Sequence, residues 1–175
     1  RYGLHLPYAV RLHDPEAAMT LPTPTLEPVA DLTVYVATPI EAGAVTGLNS
    51  RGRRRIIPIT GGKVIGQLTG TVLSGGADFQ IVVSDTCADL DARYLLQLDT
   101  GEHVFVMNRA LRRGSVEDIA RLVRGEPVDP AAIYFRCAPT FEVSSPALAW
   151  LTESLFVGTG ARFPDRVEMR FFRVV

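Results

Sequence analysis

Cysteine is scarce. Cys87 and Cys137 are the only two in 175 residues, too few for a disulfide framework. They are expected to be separate, partly buried thiols, with a single bridge as the alternative. Histidine is almost as rare, and His5, His13 and His103 lack the close spacing of a ligand set, so no metal site is legible. No apolar run approaches the ~18 residues that a membrane helix requires. No excess of positive charge exists either: the formal net charge is −1. A general nucleic-acid partner, which needs a basic footprint, is therefore not expected. The first thirty or so residues contain no apolar signal core. The cytoplasm is the expected compartment, although a chain beginning with Arg1 leaves a removed targeting segment open.

The usual nucleotide-binding patterns are absent too. Gly61-Gly62-Lys63 is followed by Val64, where a phosphate loop needs Ser or Thr. Gly158-Thr159-Gly160 lacks the third glycine of a dinucleotide fingerprint, and no βαβ pattern surrounds it. No Gly-x-Ser-x-Gly nucleophile elbow is present. These absences point to a protein that works without a cofactor.

What is present reads as one mainly β domain. Hydrophobic residues make up 47% and charged residues 21%, an ordinary globular balance, and the length suits a single core. Residues 1–24 carry Pro7, Pro15, Pro22 and Pro24. Proline fixes φ and removes a donor, so this stretch is read as an extended arm, leaving 25–175 as the domain. Within it, Leu32, Val34 and Val36 alternate with Thr33, Tyr35 and Ala37. Further runs rich in β-branched and aromatic residues are expected to be strands: 54–59, 69–73, 78–84, 90–98, 103–109, 133–143, 155–157 and 166–175. Gly61-Gly62, Gly75-Gly76, Asp99-Thr100-Gly101 and Gly158-Thr159-Gly160 are read as the turns between them. Two short helices are expected. One is capped by Ser115 with Asp118 in the capping-box position and ends at Gly125. The other starts at Ser145-Pro146. About eight or nine antiparallel strands with one or two short helices make a barrel or a sandwich.

The informative feature is charge inside strand runs. Side chains alternate faces along a strand, so Asp78 shares a face with Gln80, Asp91 with Arg93, and Tyr134 with Arg136, with Glu142 further along that run. If these faces point into a barrel, they line a polar pocket. Arginine can clamp a carboxylate or enolate with parallel hydrogen bonds, and a carboxyl shielded by apolar walls can act as acid or base. The competing reading is a solvated outer face. Arg53, Arg54 and Arg55 raise the same choice between pocket and protected strand edge. Trp150, the single tryptophan, is either a core residue or a pocket wall.

Several stretches together resemble the UPF0311 family, also called the DUF3237 domain. They are Arg54–Gly62, Gly70–Leu73, Gly75–Gln80, Leu90–Tyr94, Asn108-Arg109, Tyr134-Phe135-Arg136, Phe141-Glu142, Trp150-Leu151 and Phe156–Gly160. The resemblance spans about 25–175 and leaves the arm outside. The run Arg51-Gly52-Arg53-Arg54-Arg55 is more basic than the family pattern. The resemblance implies a lipocalin-like (calycin-like) β-barrel and carries over no assigned catalytic residue.

The sequence therefore suggests a barrel that binds a small hydrophobic organic molecule. The favoured form is a cofactor-independent enzyme of cyclase, isomerase, lyase or cycloaddition type, as in secondary metabolism. Asp91, Tyr134 and Arg136 are the expected catalytic residues. Arg55, Asp78, Gln80, Arg93, Glu142 and Trp150 are the expected ligand contacts. A carrier without chemistry, or a structural barrel with a packed interior, is the alternative. A homodimer is compatible with either.

Overall fold

A computed structural model describes residues 21–175. Residues 1–20, most of the expected arm and two of the three histidines, lie outside the described residues. Ten strands form one antiparallel sheet: β1 (Leu26–Val36), β2 (Ile40–Thr46), β3 (Arg51–Gly66), β4 (Gly70–Val72), β5 (Ala77–Ser84), β6 (Cys87–Leu98), β7 (His103–Arg113), β8 (Tyr134–Val143), β9 (Phe156–Arg162) and β10 (Arg166–Val174). The sheet closes because β1 pairs with both β10 and β3. β4 and β5 occupy the space between β3 and β6 in succession. The expected closed antiparallel barrel is what the chain forms.

The interior is set by parity along each strand. Leu32 and Val34 of β1, Leu90, Tyr94 and Leu96 of β6, Val104 and Val106 of β7, and Phe135, Cys137 and Phe141 of β8 are all buried. Because residues two apart share a face, these positions carry their even or odd neighbours inward with them. The two thiols are free, as expected, with Cys137 buried in the core.

Two glycine pairs read as turns lie inside strands. Gly61 and Gly62 belong to β3, a 16-residue strand that pairs first with β2 and β5 and then with β1 and β4. A Cβ on Gly62 would sit 2.1 Å from the Thr33 carbonyl oxygen, so only glycine lets β1 pass this close. Gly158 and Gly160 belong to β9. Each leaves room for a core ring: a Cβ on Gly160 would stand 3.0 Å from the Phe135 ring, and one on Gly158 would stand 2.9 Å from that of Phe171. β2 has no counterpart among the expected strands. It is almost wholly exposed and bulges at Gly43, where φ is +83°, so it lacks a buried alternating face.

The connections follow the sequence more closely. Gly101, at φ +99°, turns β6 into β7. The helix α1 (Val116–Val123) starts at Ser115, whose Oγ accepts a hydrogen bond from the Asp118 amide at 3.0 Å and donates one to the Asp118 carboxylate. Ile119 and Leu122 of α1 pack on a small cluster of Ala88, Leu90, Ile133 and Phe135. The second expected helix is a 3₁₀ helix, Pro146–Leu151. It buries Leu151 and packs Leu148 and Trp150 against the main core. No helix among the described residues is long and apolar enough to cross a membrane.

Candidate functional site

Beyond the aromatic core the barrel contains a cavity with a mixed lining. Its apolar wall includes Val34, Ile57, Ile59, Leu90, Ala92, Phe135 and Met169. Ala37 and Pro39, from the β1–β2 connection, and Phe163 and Pro164, between β9 and β10, complete the lining. The cavity offers about 60 Å³ to the centre of a water molecule, which is room for a few waters or the head of a small organic molecule.

Into this space β5 delivers Asp78 and Gln80 on one face, β6 delivers Tyr94, β7 delivers Asn108 and Arg112, and β9 delivers Arg162. Arg55 of β3 lies next to Gln80 and is 4% exposed. A relay joins three of these groups. The Arg55 Nε donates to Gln80 Oε1 at 2.9 Å, and Gln80 Nε2 donates to the Asp78 carboxylate. The second Asp78 oxygen accepts from the backbone amide of Asp91 at 3.2 Å.

Charge in this interior is unbalanced. Three guanidiniums, Arg55, Arg112 and Arg162, share it with the Asp78 carboxyl. None of the three closes an ion pair within 4.0 Å among the described residues. Burial pushes the Asp78 carboxyl above the usual carboxylate range, even though Gln80, Arg112 and the Asp91 amide favour its charged form. Burial, followed by the neighbouring Arg162 and Arg55 charges, pulls Arg112 down to about 9. Burial likewise lowers Arg55 and Arg162 and raises the Tyr94 phenol.

Four buried polar atoms of this lining have no hydrogen-bond partner among the described residues: Tyr94 Oη, Asn108 Oδ1, Arg112 Nε and Arg162 Nη1. Native interiors leave few such atoms. The barrel places four of them around one cavity.

The expected site residues divide between the two faces of the barrel wall. Arg55, Asp78 and Gln80 face inward. Asp91, Arg93, Tyr134, Arg136 and Glu142 do not, which corrects the inward orientation expected for them. On β6, Leu90, Ala92, Tyr94 and Leu96 share the inner parity, so Asp91 and Arg93 are turned outside, where they pair at 3.2 Å. Asp91 reaches the site only through its main-chain amide. On β8, Phe135, Cys137 and Phe141 hold the inner face. Tyr134 is therefore 45% exposed, with the Arg136 guanidinium 5.2 Å from its ring centroid, and Glu142 is exposed. Trp150 does not line the cavity. It packs 6.0 Å from Phe156, centroid to centroid.

Tyr94, Asn108, Arg112 and Arg162 were not among the expected site residues. Parity carries the signal for Arg112, which is an even step from Val104 and Val106. It is hidden if β7 is ended at Arg109. Arg162 shares its face with Phe156, and is hidden if Gly158-Thr159-Gly160 is taken as a turn.

Comparisons with known proteins agree with this architecture. A family profile described as "Protein of unknown function (DUF3237)" matches residues 24–174. A UPF0311 protein of Rhodopseudomonas palustris is 44% identical over 156 residues, covering 87% of this chain and 99% of the relative. A crystal structure of a conserved protein of unknown function from that organism superposes with a TM-score of 0.81 at 41% identity, covering 89% of this chain and 100% of the other. A β-barrel-like protein of Acinetobacter baumannii superposes with a TM-score of 0.77 at 38% identity, covering 90% and 100% of the two chains. An enzyme from Penicillium herquei superposes with a TM-score of 0.59 at 20% identity, covering 89% and 98%; at that distance the likeness speaks to fold alone.

Proposed function

The chain belongs to the family described as "Protein of unknown function (DUF3237)", also named UPF0311, and from that premise we propose that it is a small-molecule-binding barrel that acts as a cofactor-independent enzyme on a small, largely apolar metabolite. The reaction class is an isomerisation, cyclisation or elimination driven by proton transfer. The observation that carries this reading is the Asp78 carboxyl, buried in an apolar-walled cavity and oriented by Gln80 and the Asp91 amide.

Asp78 suits this role better than the outward-facing Asp91, Tyr134 and Arg136. A carboxyl raised by burial holds a proton nearer to neutral pH, where it can donate to a carbonyl or alkene and retrieve a proton from the product. Isomerisation and cyclisation neither gain nor lose atoms in such an exchange. In an elimination the leaving group departs with the proton of the Asp78 carboxyl, and the carboxylate takes a proton from the substrate carbon. The Gln80 amide, held by Arg55, would fix one carboxyl oxygen and the Asp91 amide the other, so that proton exchange with the substrate takes place from a carboxyl held at both oxygens. The apolar wall would exclude water and hold one reactive conformer. The description of a Penicillium herquei barrel as an enzyme is in keeping with a fold that can host chemistry, although fold alone assigns none.

The test starts with native mass spectrometry of freshly purified protein and identification of any small molecule released on denaturation. That compound and close analogues then go to wild-type and Asp78→Asn protein. The expected result is conversion of at least one compound by wild type, with the variant still binding it and turnover reduced by about 10²-fold or more. Binding with unchanged recovery of every compound by wild type would make the protein a carrier. Full turnover by Asp78→Asn would remove Asp78 from the chemistry.

A further inference from the structure

We propose that the molecule held in the barrel is an anion, an apolar body bearing one acidic oxygen group (a carboxylate, enolate or phenolate) seated on Arg112 and Arg162. The inference rests on the interior-ligand reading above and adds the chemical class of the ligand.

The first support is the charge imbalance. Arg112 is 4% exposed, and neither it nor Arg162 has a carboxylate within ion-pair distance among the described residues. A buried cation left without a partner is costly, and proteins retain such groups where a ligand completes them. Arg55 is already bonded to Gln80, which leaves Arg112 and Arg162 as the available pair.

The second support is the direction of the orphaned groups. Arg112 Nε, Arg162 Nη1 and the Tyr94 hydroxyl can all donate, and all three are buried without a partner. They come from three different strands, β7, β9 and β6, and line the same cavity. Guanidinium donors are planar, fixed and without acceptor capacity. Two of them with a phenol match an oxygen group rich in lone pairs. A cation or an amine would meet donors where it needs acceptors. Asn108 Oδ1 is the one orphaned acceptor of the set, suited to a hydroxyl on the same ligand.

The third support is the contrast with the rest of the wall. Ile57, Ile59, Leu90, Phe135 and Met169 supply no polar group except a thioether, and this sulfur already accepts from Asn108 Nδ2 at 3.3 Å. An apolar body with a single charged head fits this division. Binding would also relieve the burial and like-charge pressure that lowers Arg112.

The experiment compares benzoate with benzamide, two single-ring probes of nearly equal shape that differ in charge at neutral pH. Affinity is measured by titration calorimetry on the full chain. Placement is read from methyl chemical shifts of Ala92, Ala110 and Met169. Wild type should bind benzoate about tenfold or more tightly than benzamide, with shifts confined to the interior. In Arg112→Met, Arg162→Met and the double variant that preference should fall toward unity, while Arg93→Met on the outer face should keep it. Benzamide binding as tightly as benzoate, or a preference that survives in the double variant, would overturn the anion assignment and leave an interior site standing. Saturation by neither probe, with no interior shift, would overturn both readings. Thermal unfolding is an independent measurement. Arg112→Met and Arg162→Met should each melt higher than wild type, with Arg93→Met unchanged. A lower melting point with intact folding at either interior position would show that the arginine has an internal partner and is not reserved for a ligand.

Discussion

The two halves of the barrel interior use their buried volume differently. One is filled. Phe141 meets Phe156 edge-on at 5.0 Å and Phe171 at 6.2 Å between centroids, and the Pro146–Leu151 helix presses Leu151 and Trp150 against them. Apart from carbon and sulfur this region has little to satisfy. The other half gathers Asp78, Gln80, Asn108, Arg112 and Arg162 around a cavity, with Arg55 bonded to Gln80, and leaves several of their polar atoms without partners. Under the proposed function, the contrast separates what makes the barrel stable from what would bind its ligand. Dense aromatic packing stabilises by area and dispersion, whereas unpaired buried charge opposes folding and persists where it serves a ligand.

The sharpest way to test that contrast is to truncate one residue in each half. Phe171, 1% exposed within the aromatic cluster, should cost about 3–5 kcal/mol when changed to alanine, because the lost transfer energy adds to that of the cavity left behind. Arg112→Met should move stability the other way, by on the order of 1–3 kcal/mol, because it replaces an uncompensated buried charge with an apolar side chain of similar length. Urea midpoints at constant m-value would read both. A destabilised Arg112→Met protein would mean that the two halves are both packed cores.

The same contrast explains what the sequence made legible. The closed half was easy, because Val104, Val106, Phe141 and Leu96 sit in alternating runs where apolar parity names the inner face. The cavity half was harder, because its inner face is polar and the alternation rule then points the wrong way. Asp91 and Arg93 have the same spacing as Asp78 and Gln80, yet they face outward. The difference lies in the company each pair keeps: β6 has Leu90, Tyr94 and Leu96 to claim the interior, whereas of Phe79, Ile81 and Val83 on the opposite face of β5 only Ile81 is buried. Parity extended along a whole strand would have turned Asp91 outward and brought Arg112 in. Arg162 was hidden by a different cause. Glycine in β9 makes room for Phe135 and Phe171, and in a linear sequence glycine reads as a turn.

A smaller effect should appear in the pH dependence of stability. The folded protein holds the Asp78 proton to higher pH than the unfolded chain does, whose aspartates titrate near about 3.9. The native state therefore binds more protons in the window above that value. The contribution of Asp78 is fully present below the unfolded value and is lost as pH rises through the folded one. Asp78→Asn cannot titrate, so the difference in unfolding free energy between wild type and variant should shift steadily against wild type from about pH 4 upward. A difference independent of pH would mean that the carboxyl is not desolvated.

The smallest effect is expected on the outside of the neighbouring strand, β6. Arg93 pairs with Asp91 at 3.2 Å, with more than half of its side chain in solvent. Exposed ion pairs exchange one hydrated environment for another and are screened by salt. Arg93→Ala should therefore leave the urea midpoint and the preference for benzoate unchanged. This null expectation is informative because Asp91 also donates its amide to Asp78. If Arg93→Ala alters the pH profile attributed to Asp78, the outer ion pair positions that amide, and the two faces of β6 act as one unit. If it changes nothing, the backbone of β6 alone fixes the amide, and the wall separates an inert outer surface from the proposed interior site only one residue away.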